Sequence, residues 1–160
     1  MLDTPPAAWV SQYEMKILSV INTVQAAVPY LRQSDAGRVV IMNGVTANVP
    51  DPEMAAVSAS RAAVKQVAGM LAEDLAADGI CVNTVNIGAI ETNRQIDRYK
   101  GSGSSLTYSA WSQKEAERRG ILLGRFGRTE EVSPIVMLLL SPLSSYITGS
   151  SIDVAGGTTS

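Results

Sequence analysis

Three short β-branched runs constrain this chain most: RVVIMNG at 38–44, ICVNTVNIGAI at 80–90 and SSIDVAGG at 150–157. Stretches of helical periodicity separate them. A helix inserted between two strands returns the chain to the edge it left, so such strands pair in parallel. The expected fold class is therefore α/β, a parallel sheet of about three strands flanked by helices. At 160 residues with 46% hydrophobic content, one domain over residues 1–160 can bury a core. No internal repeat or long linker interrupts the pattern.

The helices read from their apolar spacing and their ends. The first is expected to start near DTPPAAW, with Thr4 as cap and prolines in the opening turn. Ile17, Ile21, Val24, Val28 and Leu31 then recur on one face. Asp51, Pro52 and Glu53 open a second long helix, which Gly79 ends. Its stripe is Val57, Val64, Val67, Leu71 and Leu75, and its many alanines leave it slim. From Glu91 to Arg119 the sequence is polar, with a turn at KGSGSS, and a last helix is expected over 129–140 with Thr129 as cap.

Composition removes several function classes. A net charge of −2 and a lone basic pair, Arg118–Arg119, behind Glu115 and Glu117 argue against nucleic acid. Histidine is absent and Cys81 is the single cysteine, so imidazole chemistry is excluded and no metal site is expected. Cys81 sits in an apolar run and reads as buried and structural. The longest apolar run, IVMLLL, is too short to span a bilayer, so no membrane partner is expected. MLDTPPAAW lacks the basic start and apolar core of a secretory leader, and a cytoplasmic location is expected.

Taken in order, the segments DTPPAAW…QAAVPYLRQSDAGRVVIMNG, VSASRAAV, ADGICVNTVNIGAIET and LGRFGRTEEVSPIVMLLLSPLSSYITGSSIDVAGG resemble the C-terminal half of a short-chain dehydrogenase/reductase. The resemblance covers nearly the whole chain and implies a truncated Rossmann-like sheet. The glycine-rich strand-to-helix turn that holds the cofactor pyrophosphate in that family has no counterpart in these residues.

The resemblance also locates the family's catalytic positions. Its tyrosine falls on Val57, its lysine on Arg61, its serine on Gly44 and its asparagine on Lys16, so all four are replaced. The chain is similar to a divergent subgroup with K-x-x-S-x-I-N on the first of these helices and S-A-x-R on the catalytic one. Losing a general acid removes roughly 10²–10⁴ in rate, and losing an oxyanion donor roughly 10²–10³. Ser58, Ser60 and Thr46 are the neighbouring hydroxyls, none an obvious replacement.

The expectation is accordingly an atypical member without autonomous hydride transfer, binding a small molecule for lyase, isomerase or cyclase chemistry. Lys16, Asn43, Arg61 and Glu91 are its candidate catalytic groups. Lys16 and Arg61 bring two cations together, which calls for a carboxylate (Asp51, Glu53 or Glu91), exposure to water, or an anionic ligand. No cofactor is expected for this chain alone. Gly88 and Thr92 would contact a nicotinamide only under the alternative, an NAD(P)-dependent short-chain oxidoreductase whose cofactor half lies elsewhere. A further alternative is a non-catalytic pseudoenzyme serving as an interaction module. Without its other strands, RVVIMNG is an open apolar edge, so an obligate homo-oligomer or pairing with a full-length relative is expected.

Overall fold

The computed structural model describes residues 1–158. Helix α1 (Pro6–Tyr13) runs through a π turn (Glu14–Leu18) into α2 (Ser19–Leu31). Strand β1 (Arg38–Gly44) follows, then α3 (Ala55–Leu75) and β2 (Cys81–Ile87). Next come α4 (Asn93–Gly101), α5 (Tyr108–Arg118), α6 (Ser133–Leu140) and β3 (Ser151–Val154).

The sheet has the order β1-β2-β3, and both pairings are parallel. Arg38 pairs with Cys81 and Gly44 with Ile87, while Ile87 also pairs with Val154. The C-terminal ends of all three strands therefore meet at one edge of the fold. Parallel sheets of this kind bind their ligands at that edge.

β2 lies in the middle and is buried from Cys81 through Asn86, as a central parallel strand should be. Of its two buried asparagines, Asn83 is bonded at both side-chain ends, whereas Asn86 is bonded through Nδ2 alone and its Oδ1 meets no partner. Asn83 donates to the Ile147 carbonyl at 2.8 Å and accepts from the Ser150 N–H at 3.1 Å. Asn86 donates to Asp153 Oδ1 at 2.6 Å and to Ser151 Oγ at 2.9 Å.

One apolar cluster joins Ile17 and Val24, Ile41 and Val82, and Val64, Ala68, Ala72 and Leu75 of α3. The sheet-facing row of α3 is Ala56, Ser60, Val64, Ala68 and Ala72, one residue every four. These small side chains let the helix axis approach the strands closely. Of the stripe expected from hydrophobicity, Val64 and Leu75 are buried, while Val67 and Leu71 lie beside the cluster, half-covered. A second cluster gathers Trp111, Ala116, Ile121 and Phe126, with Tyr99 and Tyr108 against it. Burying a side chain of this kind contributes roughly 1.5–3 kcal/mol.

The helix ends refine several expectations. Asp51 Oδ1 accepts from the Glu53 N–H at 2.9 Å, and Gly79 stops the second long helix at φ 70°. Thr4 makes no cap: Pro5 holds the N-cap position of α1, without a side-chain bond. At α6 the turn is closed by Glu131 instead of Thr129, its Oε2 accepting from the Arg128 N–H at 2.7 Å. The polar segment after Glu91 folds into two helices, because Tyr99, Tyr108 and Trp111 supply an apolar face among its charges. No helix among the described residues is long and apolar enough to cross a membrane.

Candidate functional site

The site forms where β1 and β2 end. Lys16 occupies the centre of the π turn, and α3 packs against both that turn and α1. A π turn widens the helix by one residue and often marks a functional position. Here it presents Lys16, half-buried, toward α3. Arg61 lies on the first half of α3, also half-buried.

Arg61 fixes the local geometry. Its Nη1 donates to Thr46 Oγ1 at 2.8 Å. Its backbone carbonyl accepts from Asn43 Nδ2 at 3.0 Å, which ties the helix to the end of β1. The guanidinium lies directly over Gly44: a Cβ on that residue would sit 2.5 Å from Cζ and 2.7 Å from Nη1. The absence of a side chain at 44 and the presence of arginine at 61 are thus one packing arrangement. Thr46 serves as the acceptor that holds the arginine.

The other hydroxyls are spoken for. Ser60 is fully buried against the sheet and donates to the Val57 carbonyl at 3.0 Å. Ser58 accepts from the Asp51 N–H at 3.2 Å and stays with the loop that opens α3. Val57 itself is half-buried and apolar, with no proton to offer.

Burial, and then the charge of Arg61, hold the Lys16 ammonium below its ordinary pKa. Burial, and then Arg94, lower that of Arg61, which nevertheless keeps its proton at any working pH. Arg94, exposed in the first turn of α4, acts on Arg61 through its charge and was not among the candidates read from the sequence. Its signal was its place two residues after Thr92, in the turn that topology carries to the C-terminal edge of the sheet.

The three candidate carboxylates do not close the charge. Among the described residues neither Lys16 nor Arg61 forms an ion pair. Asp51 caps its own turn, and with Glu53 it acts on Arg118 from α5. Glu91 is exposed; its N–H donates to the Gly127 carbonyl at 2.7 Å. The Glu91 carboxylate acts on the Tyr108 phenol, whose pKa is raised by burial first and by Glu91 second. The enclosed hydroxyl meets no partner at ideal hydrogen-bond geometry.

The two nicotinamide candidates differ. Gly88 has a packing reason to be glycine, since a Cβ there would lie 2.7 Å from Ala155 Cα as the chain leaves β3. Thr92 holds the N-cap position of α4 without a side-chain cap bond, and it is exposed. Its hydroxyl stands beyond the C-terminal end of β2, the edge at which sheets of this kind take a dinucleotide. A glycine-rich turn for the pyrophosphate is not among these residues.

A three-stranded parallel sheet flanked by helices, with its strand C-termini at one edge, is a Rossmann-like fold. The family described as enoyl-(acyl carrier protein) reductase matches residues 1–159, and the chain belongs to the short-chain dehydrogenase/reductase family. The 3-oxoacyl-(acyl-carrier-protein) reductase of Thermotoga maritima is 32% identical over 149 residues, covering 93% of this chain and 56% of that protein. A short chain oxidoreductase of Pseudomonas aeruginosa PAO1, described as containing an atypical catalytic center, was solved with NADPH bound. That structure is 34% identical, with TM-score 0.91, and the match covers 99% of this chain and 60% of that one. Its apo form is 35% identical, with TM-score 0.94, covering 99% and 61%. The chain thus spans a little over half the length of the relatives it matches.

These comparisons correct one expectation. The missing glycine-rich turn and the replaced tyrosine point to no cofactor for this chain alone, yet a relative matched along 99% of it, itself described as containing an atypical catalytic center, was solved with NADPH bound.

Proposed function

We propose that the chain is the catalytic half of an NAD(P)-dependent short-chain oxidoreductase whose centre is rebuilt around Lys16 and Arg61. The observation that carries this reading is the seating of the Arg61 guanidinium over Gly44, locked by Thr46. An eroded site would leave a gap where the family's serine stood; here an arginine fills the volume. The names of the relatives favour hydride transfer over the lyase, isomerase or cyclase chemistry expected from the sequence, which would draw on the same side chains.

When bound, NAD(P)H supplies a hydride to the substrate's unsaturated carbon. The rest falls to this chain. The guanidinium has N–H groups beyond the one donated to Thr46, and these hold the oxygen on which negative charge grows. Lys16, with its pKa lowered by burial and by Arg61, delivers the proton that oxygen requires and takes one back from water. Asn43 keeps the α3 backbone in register with β1 and so sets where the guanidinium sits. The unpaired edge of β1, together with exposed Met137, Leu143 and Tyr146, is where a second copy or a full-length relative would pair.

The test is titration of the 160-residue protein with NADPH and NADH by calorimetry, repeated on Arg61→Gln. Micromolar binding that weakens at least about tenfold in the variant, the loss of one charge-assisted bond, supports the reading. No heat up to millimolar cofactor removes it for this chain and returns non-redox chemistry to first place.

A further inference from the structure

A small polar cavity opens beside the start of β3, on the face of the sheet that α3 covers. Its volume is about 130 Å³, and Lys65, Gln66 and Gly69 of α3 border it together with Thr84, Ser150 and Ser151. A single water needs only ~10–15 Å³, so a group of several heavy atoms fits. Thr84 and Ser151 are register partners, and paired residues of a sheet turn their side chains to the same face. The pair lies three residues short of Ile87 and Val154, where the ladder ends at the reaction edge.

The hydrogen bonds around the cavity set donors on its wall. Asp153 Oδ1 accepts from Asn86 Nδ2 at 2.6 Å and from Asn48 Nδ2 at 2.9 Å, which fixes both amides. Asn86, fully buried, also donates to Ser151 Oγ at 2.9 Å. Asn48 offers its oxygen to Lys65 Nζ, which donates to it at 2.8 Å. Ser151 is thus an acceptor toward the asparagine and keeps its own proton to give elsewhere, and the ammonium has two further protons. Thr84 is 1% exposed, and among the described residues its hydroxyl has no hydrogen-bond partner. Asp153 does not border the cavity.

Gly69 adds room. It sits inside α3, where glycine costs helix stability relative to alanine, yet a Cβ there would meet nothing within 4 Å. Packing against the rest of the protein gives no reason for glycine at this position.

We infer that this cavity binds a small oxyanion, a carboxylate or a phosphate, held by the Lys65 ammonium and the hydroxyls of Ser151 and Thr84. All three groups can donate, and an oxyanion accepts several charge-assisted bonds at once. Asp153 is the positioning group of the site. It orients the ammonium and the serine hydroxyl through one amide each, so the ligand meets the donors and not the carboxylate.

The experiment is calorimetry on the 160-residue protein at low ionic strength, with inorganic phosphate and with acetate as probes. It is repeated on Ser151→Ala, Lys65→Met and Arg61→Gln after their thermal melting has been compared with the parent. Saturable binding that weakens at least about tenfold in Ser151→Ala and in Lys65→Met, with Arg61→Gln equal to the parent, supports the inference. Tighter phosphate binding then assigns a phosphate ligand, and tighter acetate binding a carboxylate. Ser151 is exposed, and Asn86 keeps its bond to Asp153 when the hydroxyl is removed, so Ser151→Ala tests the site in a folded chain. No saturable binding of either probe, or binding by Ser151→Ala equal to the parent, overturns the inference. Loss confined to Arg61→Gln places the anion at the reaction edge and overturns it as well.

Discussion

Arg61 and Gly44 occupy one shared volume: the guanidinium carbon lies where it would stand 2.5 Å from any Cβ at position 44. Position 44 and the Arg61 rotamer are therefore coupled: a Cβ at 44 requires the guanidinium to move. The site is a packed unit, and its parts respond jointly to substitution.

Gly44→Ser is expected to push the guanidinium aside and break its bond to Thr46. A flexible side-chain end moves more cheaply than backbone, so stability should fall by less than about 1.5 kcal/mol. Ligand affinity should fall more, by about tenfold or greater, as the arginine is misplaced. Thermal melting and NADPH titration measure the two. Adding Arg61→Lys should restore the melting temperature, and additive losses would disprove the coupling.

Asn83 is 1% exposed and holds the loop before β3 through two hydrogen bonds. Asn83→Ala strands the Ile147 carbonyl and the Ser150 N–H without partners. The expected loss is on the order of 2–4 kcal/mol, read from the urea midpoint. A loss under about 0.5 kcal/mol would mean water replaces the amide without penalty.

Glu131 gives the protein an acid-sensitive latch. Bonds from the Arg125 side chain, then from the Arg128 N–H, hold its pKa down to about 2 from 4.5. A depressed carboxylate contributes stability fully above 4.5 and loses it as pH falls through about 2. The difference in melting temperature between parent and Glu131→Gln should shrink steadily across that window. Because the pair is exposed, added salt should narrow it as well. A difference that stays constant with pH would show that the carboxylate charge is irrelevant.

Lys16 should impose the opposite trend on activity. Its pKa lies below 10.5 through burial and then through Arg61. The folded chain loses this proton before the unfolded chain does, so reductive activity should decline as pH rises through the lowered value. Folding stability should rise between that value and 10.5, where the unfolded chain still holds the proton. Lys16→Met should flatten both profiles, and unchanged profiles would remove Lys16 from the site.

The three strands, the C-terminal stop at Gly79 and the Asp51 cap were all legible in the sequence. Each depends on local rules, namely β-branched runs, a left-handed glycine and a carboxylate near free N–H groups. Family membership was legible too, because long motifs such as the closing segment carry it. What lay beyond the sequence was set by distance across the fold. That α3 meets the sheet through Ala56, Ser60, Ala68 and Ala72 depends on how closely a helix can approach β2. That Thr46 receives Arg61 and that Asn43 braces its backbone depend on the fold bringing β1, the turn after it and α3 to one edge. Spacing along the chain decides what a segment becomes; only packing decides which charges face one another, because their interaction falls with separation and rises with burial.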